Sequence, residues 1–452
     1  MSTKRSMERT NLNSKNTNTT DNHNSHSNSN SHSDFEASVG MSRKWNAREA
    51  GREVAENTLK KLKHKPSFFL LFSTIHYEKH GGFQEFLNGV WDVLPEGTPL
   101  IGGTISGFIN KDGVFSRGGV GLAYDGLLQV NDVLARGTRK NPKKTIDQLK
   151  KQLSNNPNNL LLSFLPGPSM PNFRNGEKLI ITKNKALEKM APSLLKFSTT
   201  KSNTGVGREL EVLEHLSNAV ENDIVGCSTI DDNSYNDNYQ FIGNKSYSDA
   251  IVLLEIGGLN YDLDTVSMMP MPKSWHKVNS KKTFGHIVQK IDGKTALSFY
   301  VNELGYSPDL IFDEPELVHR RFVFAPVLTK DQYGGIHPRC PGTFYGDSIG
   351  FGHPVFDTVG ISVTDGKYID DHFINFVNEF NQKGTNLLLI FSCAVMFEAL
   401  GIGNVKIYEK ILEHFDHDFL IIFGGGEILS EKDRKKGQKI LEMSLTGVGF
   451  HN

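Results

Sequence analysis

Apolar residues recur at helical spacing from the first ordered-looking stretch of the chain. Ala47, Gly51, Val54, Thr58 and Leu62 share one face, with Lys, Arg and Glu opposite. Pro66 ends that helix, and Ser67–Ser73 is apolar enough for a buried strand. Gly81 and Gly82 open a second helix whose stripe is Phe83, Phe86, Leu87, Val90, Trp91 and Leu94. Pro95 and Pro99 bracket a turn into a strand over Leu100–Ile105.

A pattern that occurs twice comes next. Phe108 opens FINKDGVFSRGGVGLAY, through Tyr124, and Phe241 opens FIGNKSYSDAIVLLEI, through Ile256. Each predicts a short strand, a polar turn and an apolar strand. Each is preceded by a glycine-containing strand end, IGGTISG (Ile101 to Gly107) or VGCSTIDD (Val225 to Asp232), and by an earlier helix and strand, Leu70–Phe72 or Leu160–Phe164. Residues 43–256 therefore predict an α/β domain built from a duplicated strand-helix-strand-hairpin unit.

Residues 257–276, with VSMMPMPKSW, suggest a connector. Beyond it the pattern predicts a helix over Thr295–Leu304, a strand over Arg321–Leu328, and loops or short strands across 329–357. A strand through Thr358–Val363 and a helix near Tyr368–Asn381 come next. Strand Asn386–Phe391, a helix near Val405–Phe415, strand Phe419–Phe423 and a closing strand Leu441–Phe450 complete the pattern. The fold class expected is α/β, with two layered domains over 43–256 and 277–452.

Composition adds the ends and the environment. Residues 1–40 are rich in Asn, Ser, Thr and His, and Phe35 is their first aromatic residue, a composition expected to stay disordered. Lys and Arg total 50 against 51 Asp and Glu, so nothing global favours nucleic acid or an anionic membrane as partner. The longest apolar runs, Phe68–Phe72, Leu387–Phe391 and Phe419–Phe423, have strand length, well short of a membrane span. Cys227, Cys340 and Cys393 are too few and too scattered for a disulfide framework, and a reducing cytoplasm is the expected home.

The ordered set LLF (Leu70 to Phe72), IGGTISG, VGCSTIDD, IDGKTALSFYVNELG (Ile291 to Gly305), FSC (Phe391 to Cys393), FGGGEI (Phe423 to Ile428) and MSLTGVGF (Met443 to Phe450) resembles the FIST family, in its N-terminal and C-terminal modules. The resemblance implies a sensory protein that binds a small ligand, amino acids among them. It also implies output through a separate signalling protein such as a histidine kinase. Some members resemble haem-based gas sensors, and a eukaryotic branch joins the module to an F-box. The chain departs from the family pattern at Met396, where Arg is common, and at Glu442, where Asn is expected.

FGGGEI is the leading local candidate. Gly424, Gly425 and Gly426 would let backbone N–H groups converge on an anion or carbonyl, with Glu427 facing an amino group. The plainer reading is a tight strand-to-helix turn with Glu427 in the first helical turn. Cys393 ends a strand on the same expected edge, either as a site residue or as an inert buried thiol. Thr104, Ser228 and Thr229 offer hydroxyls at a second edge and Asp231 and Asp232 carboxylates, for a ligand or for turn backbone.

TGVGREL (Thr204 to Leu210) lacks the third glycine of a dinucleotide fingerprint. GDSIG (Gly346 to Gly350) places Ser348 in a nucleophile position, but FGHP stands after it where a helix is needed. No cofactor is expected. The alternatives left open are a haem-type gas sensor, with the Cys340 thiolate of HPRCPG (His337 to Gly342) and His319 or His353 as ligands, a protein-recruiting adaptor, and an enzyme of unknown reaction, with Cys393 and a histidine such as His414.

Overall fold

The apolar runs become the hearts of three sheets. The computed structural model describes residues 36–169, 181–197, 207–232, 234–279, 285–307, 309–313, 322–432 and 438–451. All of these lie in one compact unit. A first stretch runs β1 (Glu36–Ser42), α1 (Ala47–Leu59), β2 (Phe68–Ser73), α2 (Phe83–Trp91), β3 (Leu100–Thr104), the hairpin β4 (Gly107–Asn110) and β5 (Gly113–Phe115), and β6 (Gly119–Asp125). A second runs β7 (Gln129–Arg136), α3 (Pro142–Lys150), β8 (Leu160–Pro166), β9 (Ile181–Thr182), α4 (Lys185–Phe197), α5 (Glu209–Ala219), β10 (Ile224–Thr229), the hairpin β11 (Gln240–Ile242) and β12 (Lys245–Tyr247), and β13 (Ala250–Gly257).

The same order then occurs a third time. It begins at β14 (Asn260–Ser267) and, after an insertion, continues through α8 (Gly366–Gln382), β24 (Leu387–Cys393), α9 (Ala394–Leu400), α10 (Gly403–His414) and β25 (Asp418–Gly424). The hairpin β26 (Glu427–Ser430) and β27 (Gln438–Leu441) and then β28 (Ser444–His451) close it. The insertion carries short strands from β15 (His276–Lys277) to β23 (Thr358–Ile361) with α6 (Ala296–Glu303) and α7 (Leu310–Asp313), around its own core of Phe299, Tyr300, Phe322 and Phe344.

Each unit gives its hairpin to another unit's sheet. The three six-stranded sheets have the orders β1-β6-β2-β3-β11-β12, β7-β13-β8-β10-β26-β27 and β14-β28-β24-β25-β4-β5. In all three the central pair is parallel and its neighbours antiparallel. The hairpins β4–β5, β11–β12 and β26–β27 occupy equivalent places in the three sheets. The expected division at 257–276 does not separate the sheets, because β4–β5 pairs with β25 and β10 with β26.

Alternation along the strands explains the packing. Phe68, Leu70 and Phe72, then Leu160, Leu162 and Phe164, then Leu387, Leu389 and Phe391 point into one shared central core. Phe164 lies between its two counterparts, with ring centroids 5.0 Å from Phe72 and 6.0 Å from Phe391. The intervening residues pack outward on helices: Phe69 and Leu71 on α1 and α2, Leu161 and Leu165 on α3 and α5, Leu388 and Ile390 on α8 and α10. Strands buried on both faces read as unbroken apolar runs. The helix after the first strand of each unit is capped alike, by Asn46, Asn141 and Asp365 accepting from the amides of Glu49, Lys144 and Tyr368.

Several expectations change. Glu36–Ser42, expected within the polar tail, is a strand, while residues 1–35 lie outside the described residues. Most of the expected connector is β14, whose full length pairs with β28. The strand expected over 321–328 is confined to Val327–Lys330, and Arg321 lies outside the described residues. Among the described residues no helix is long and apolar enough to cross a membrane.

Candidate functional site

The three units meet through the ends of their parallel strands. Backbone bonds run from Ser106 N to Phe423 O (2.9 Å), from Ile230 N to Thr104 O (3.0 Å) and from Gly425 N to Ser228 O (2.8 Å). Donors and acceptors hold equivalent positions in the three units, so the bonds close a ring. The residues expected on two separate edges therefore lie at one end of the sheets, with Cys393 in register with Gly424 and Cys227 with Glu427.

FGGGEI is not a strand-to-helix turn. It is a strand-to-strand step, and Glu427 opens β26 instead of a helix. Its glycines serve close approach. A Cβ on Gly424 would lie 2.8 Å from the Cys227 side chain, on Gly425 2.8 Å from Ser228 Oγ, and on Gly426 2.9 Å from His353 Cε1. Thr104 and Thr229 are spent on structure. Thr104 Oγ1 accepts from Tyr239 N (2.9 Å), and Thr229 Oγ1 bonds Asn238 Oδ1 (2.9 Å) and Gln240 Nε2 (2.7 Å). Asp231 accepts from the amides of Tyr235 (3.0 Å) and Asn236 (2.7 Å), a turn role. Ser228 differs: its hydroxyl is buried and has no partner.

Gln240 and Glu427 occupy equivalent positions, and the contrast is informative. Gln240 bonds Thr229, Asn238 and the amide of Ala250. Glu427 is fully buried, and neither carboxyl oxygen makes a hydrogen bond of normal geometry, although Ser444 lies beside it. Burial pushes its acid up to about 8.

Around Glu427 stands a charged cluster that no local motif announces. His353 is 2% exposed, with Nδ1 2.7 Å from Glu442 Oε1 and Nε2 3.7 Å from Glu209 Oε1. Burial alone would lower its pKa, but the Glu209 and Glu442 carboxylates raise it to about 9. Glu442 also accepts from Cys340 N (2.7 Å); burial opposes its charge, yet His353 and Arg339 hold its acid below the ordinary range. Both oxygens of Glu209, His353 Nε2, Arg339 Nη2, and Nε and Nη1 of Arg139 are buried without hydrogen-bond partners. Buried polar groups left open in this way are rare, and here they concentrate at one place.

The chain's three cysteines border the same cluster. Burial and then Glu427 push the Cys227 and Cys393 thiols far up, and burial and Glu442 do the same to Cys340. Neutral buried thiols are poor nucleophiles. His414 bonds Lys410 O (2.7 Å) at the opposite end of the sheet from Cys393. Ser348 lies in β22 (Ser348–Phe351) and donates to Glu188 Oε1 (2.7 Å), with no helix following. HPRCPG forms β20 (Ile336–Arg339) and the start of β21 (Pro341–Tyr345). In it His337 Nε2 contacts Asp331 Oδ2 (2.8 Å), and burial lowers its pKa to about 4. His319 and Thr204–Val206 lie outside the described residues. Among the described residues no group of three His, Cys, Asp or Glu is placed to hold a metal ion. Half-buried Tyr235, at φ 53°, faces Cys393, Glu442 and Cys340 from the loop after β10. Met396 is buried, with Ser392 Oγ 3.6 Å from its sulfur.

The raised pKa values set a pH dependence. Glu427 rises from 4.5 to about 8 and His353 from 6.5 to about 9 on folding. The stability they contribute is therefore full below their unfolded values and is lost as pH climbs through the folded ones. His76, His286 and His337, lowered to about 4 chiefly by burial, act oppositely and lose stability as pH falls from 6.5. The melting temperature should fall from pH 6 to pH 9, and Glu427→Gln should remove a few kcal/mol of that dependence, at roughly 1.4 kcal/mol per pKa unit. An unchanged slope in the variant between pH 6 and 8 would show that Glu427 is not held protonated.

No curated protein matches the sequence. Among solved structures, one match is a cyanuric acid hydrolase described as an evolutionary innovation by structural concatenation. It is 8% identical, over 52% of this chain and 72% of that one, with a TM-score of 0.24. The family model of the FIST N domain matches residues 67–294, just over half of the chain, which therefore belongs to the FIST family.

Proposed function

We propose that the chain is a cytoplasmic sensory protein that binds an amino acid or a similar small polar ligand at the Glu427 cluster and passes the signal to a separate protein such as a histidine kinase. The FIST domain is a sensory domain of signalling proteins. The observation that carries the ligand reading is the set of open, buried polar atoms at the strand ends: two carboxyl groups, Glu427 and Glu209, beside open nitrogens of Arg339, Arg139 and His353. Such groups cost stability unless something completes their hydrogen bonds. Open acids beside open bases suit a ligand carrying both an ammonium and a carboxylate. Cys393, Ser228 and Gly424–Gly426 would form its walls, with the glycines holding the backbone close. A ligand there touches all three units through the ring of backbone bonds, and it can bias their arrangement by its differential affinity.

A thermal-shift screen of residues 36–452 against amino acids, nucleotides, metals and haem tests this. One amino-acid class should stabilise the chain, by about 2.7 kcal/mol at a hundredfold excess over its dissociation constant. Glu427→Ala should abolish the shift. A shift with haem alone, together with a visible absorption band, would move the function to gas sensing. No shift with any compound would move it to an adaptor, to be sought by pull-down.

A further inference from the structure

The three-unit frame and the insertion bring different things to the cluster. The frame supplies the acids: Glu209 from α5, Glu427 from β26 and Glu442 from the turn before β28. The insertion supplies His353 and Arg339. Arg339 is fully buried and its guanidinium is held by backbone. Nε donates to Pro354 O (2.9 Å), and Nη1 donates to Pro338 O (2.8 Å) and Ile440 O (2.9 Å). Those bonds fix its plane and leave Nη2 open. Glu442, the strongest attraction it feels, has both oxygens engaged by His353 and Cys340 N and so is not free to close on it. Glu427 and Glu209 come next among the carboxylates it faces. Arg139, by contrast, answers to Glu209, Asp249 and Asp237, and spends Nη2 on Gly167 O.

We infer that Arg339 is the specificity-determining residue of this site, its open Nη2 taking the carboxylate of a ligand whose ammonium group meets Glu427. The inference rests on the ligand-binding reading above. A guanidinium whose orientation is fixed before binding forms directional bonds to a carboxylate without further ordering cost. An incoming ammonium favours the ionised form of Glu427, and a ligand carboxylate takes the open Nη2 of Arg339, so a zwitterion answers both groups where an amine or an acid alone answers one.

The test uses the full chain and four ligand pairs: L-alanine, L-leucine, L-glutamate and L-lysine, each beside its α-carboxamide. In the unaltered protein, an acid that stabilises should bind about 100-fold more tightly than its amide, because the amide cannot accept the charge-assisted bonds. Arg339→Lys, which keeps the charge and loses the fixed fork, should weaken the acid about 10-fold or more and leave the amide unchanged. The inference is overturned if the amide matches the acid in the unaltered protein, a comparison that needs no variant to fold. It is equally overturned if Arg339→Lys binds the acid undiminished. If the acids bind and discriminate but Arg339 is indifferent, the site stands and only its reader changes. If no acid or amide stabilises the unaltered protein, the ligand reading itself fails and takes this inference with it.

Discussion

A chain cut after residue 257 is expected not to fold cooperatively, although it holds two complete strand-helix-strand-hairpin units. Its β4–β5 hairpin would have no β25 to pair with, and β10 would lose β26 and become a sheet edge. The central core would lose Leu387, Leu389, Phe391, Leu420, Ile422, Val448 and Phe450 from one side. At about 1.5–3 kcal/mol for each buried side chain, that loss amounts to roughly 10–20 kcal/mol. Whole domains are stable by only about 5–15 kcal/mol. Urea titration followed by circular dichroism checks this. A sigmoidal transition in the fragment would refute the interlocking of the units, whereas restored structure on adding residues 258–452 as a separate chain would support it.

Gly226→Ala is expected to be nearly as damaging, through a single methyl group. Gly226 lies in the parallel pair of the second sheet at φ 157°, and a Cβ there would sit 1.9 Å from Ser163 O and 3.0 Å from Ser163 N. Both atoms are backbone in a strand buried on both faces, so no side chain can swing aside. Gly102 faces the same limit at the equivalent place in the first sheet, with Leu71 O at 1.8 Å. A loss of more than about 4 kcal/mol is expected, which places the substitution in the rare class of backbone-strain mutations. Gly352→Ala, where a Cβ would meet nothing within 4 Å, is the control and should shift stability by less than about 0.5 kcal/mol. Equal melting temperatures for the two variants would show that the close approach at Gly226 is not needed.

The sequence pattern located the central strands of each sheet; it missed β26 and β27, where a turn into a helix was expected, and, for one shared reason, one further strand in each sheet. β1, β7 and β14 are the strands at one edge of the three sheets. Half-exposed β14 alternates Tyr261, Leu263 and Thr265 with Asp262 and Asp264, and β7 opens with Val130 among polar Gln129, Asn131 and Asp132 before a three-residue apolar run, Val133 to Ala135. Such short alternations are faint beside Leu387–Phe391. The third unit was hidden because the insertion at 268–365 parts its first strand from its first helix.

At the site, Cys393, Ser228 and Gly424–Glu427 were legible because strand ends carry glycine and small polar residues whatever their role. Thr104 and Thr229 share that signature, yet their hydroxyls are consumed locally. Glu209, Arg139, Arg339 and His353 come from four separate segments, and only the closure of the sheets brings their charges together. Glu442 stood out solely as a departure from a family pattern, and it is the residue that accepts from both His353 and the Cys340 amide.

The exchange of hairpins also constrains how the chain can be made. Asn110 pairs with Leu420, 310 positions later. At about 5–20 residues per second of synthesis, the first hairpin waits roughly 15–60 s on the ribosome for its strand. The first sheet can close once β12 has emerged, but the second stays open until β27 and the third until β28 at residues 444–451. Apolar strand faces of the first two units therefore stay exposed until the third unit has been made, and this protein should depend on chaperones more than a chain whose sheets close locally.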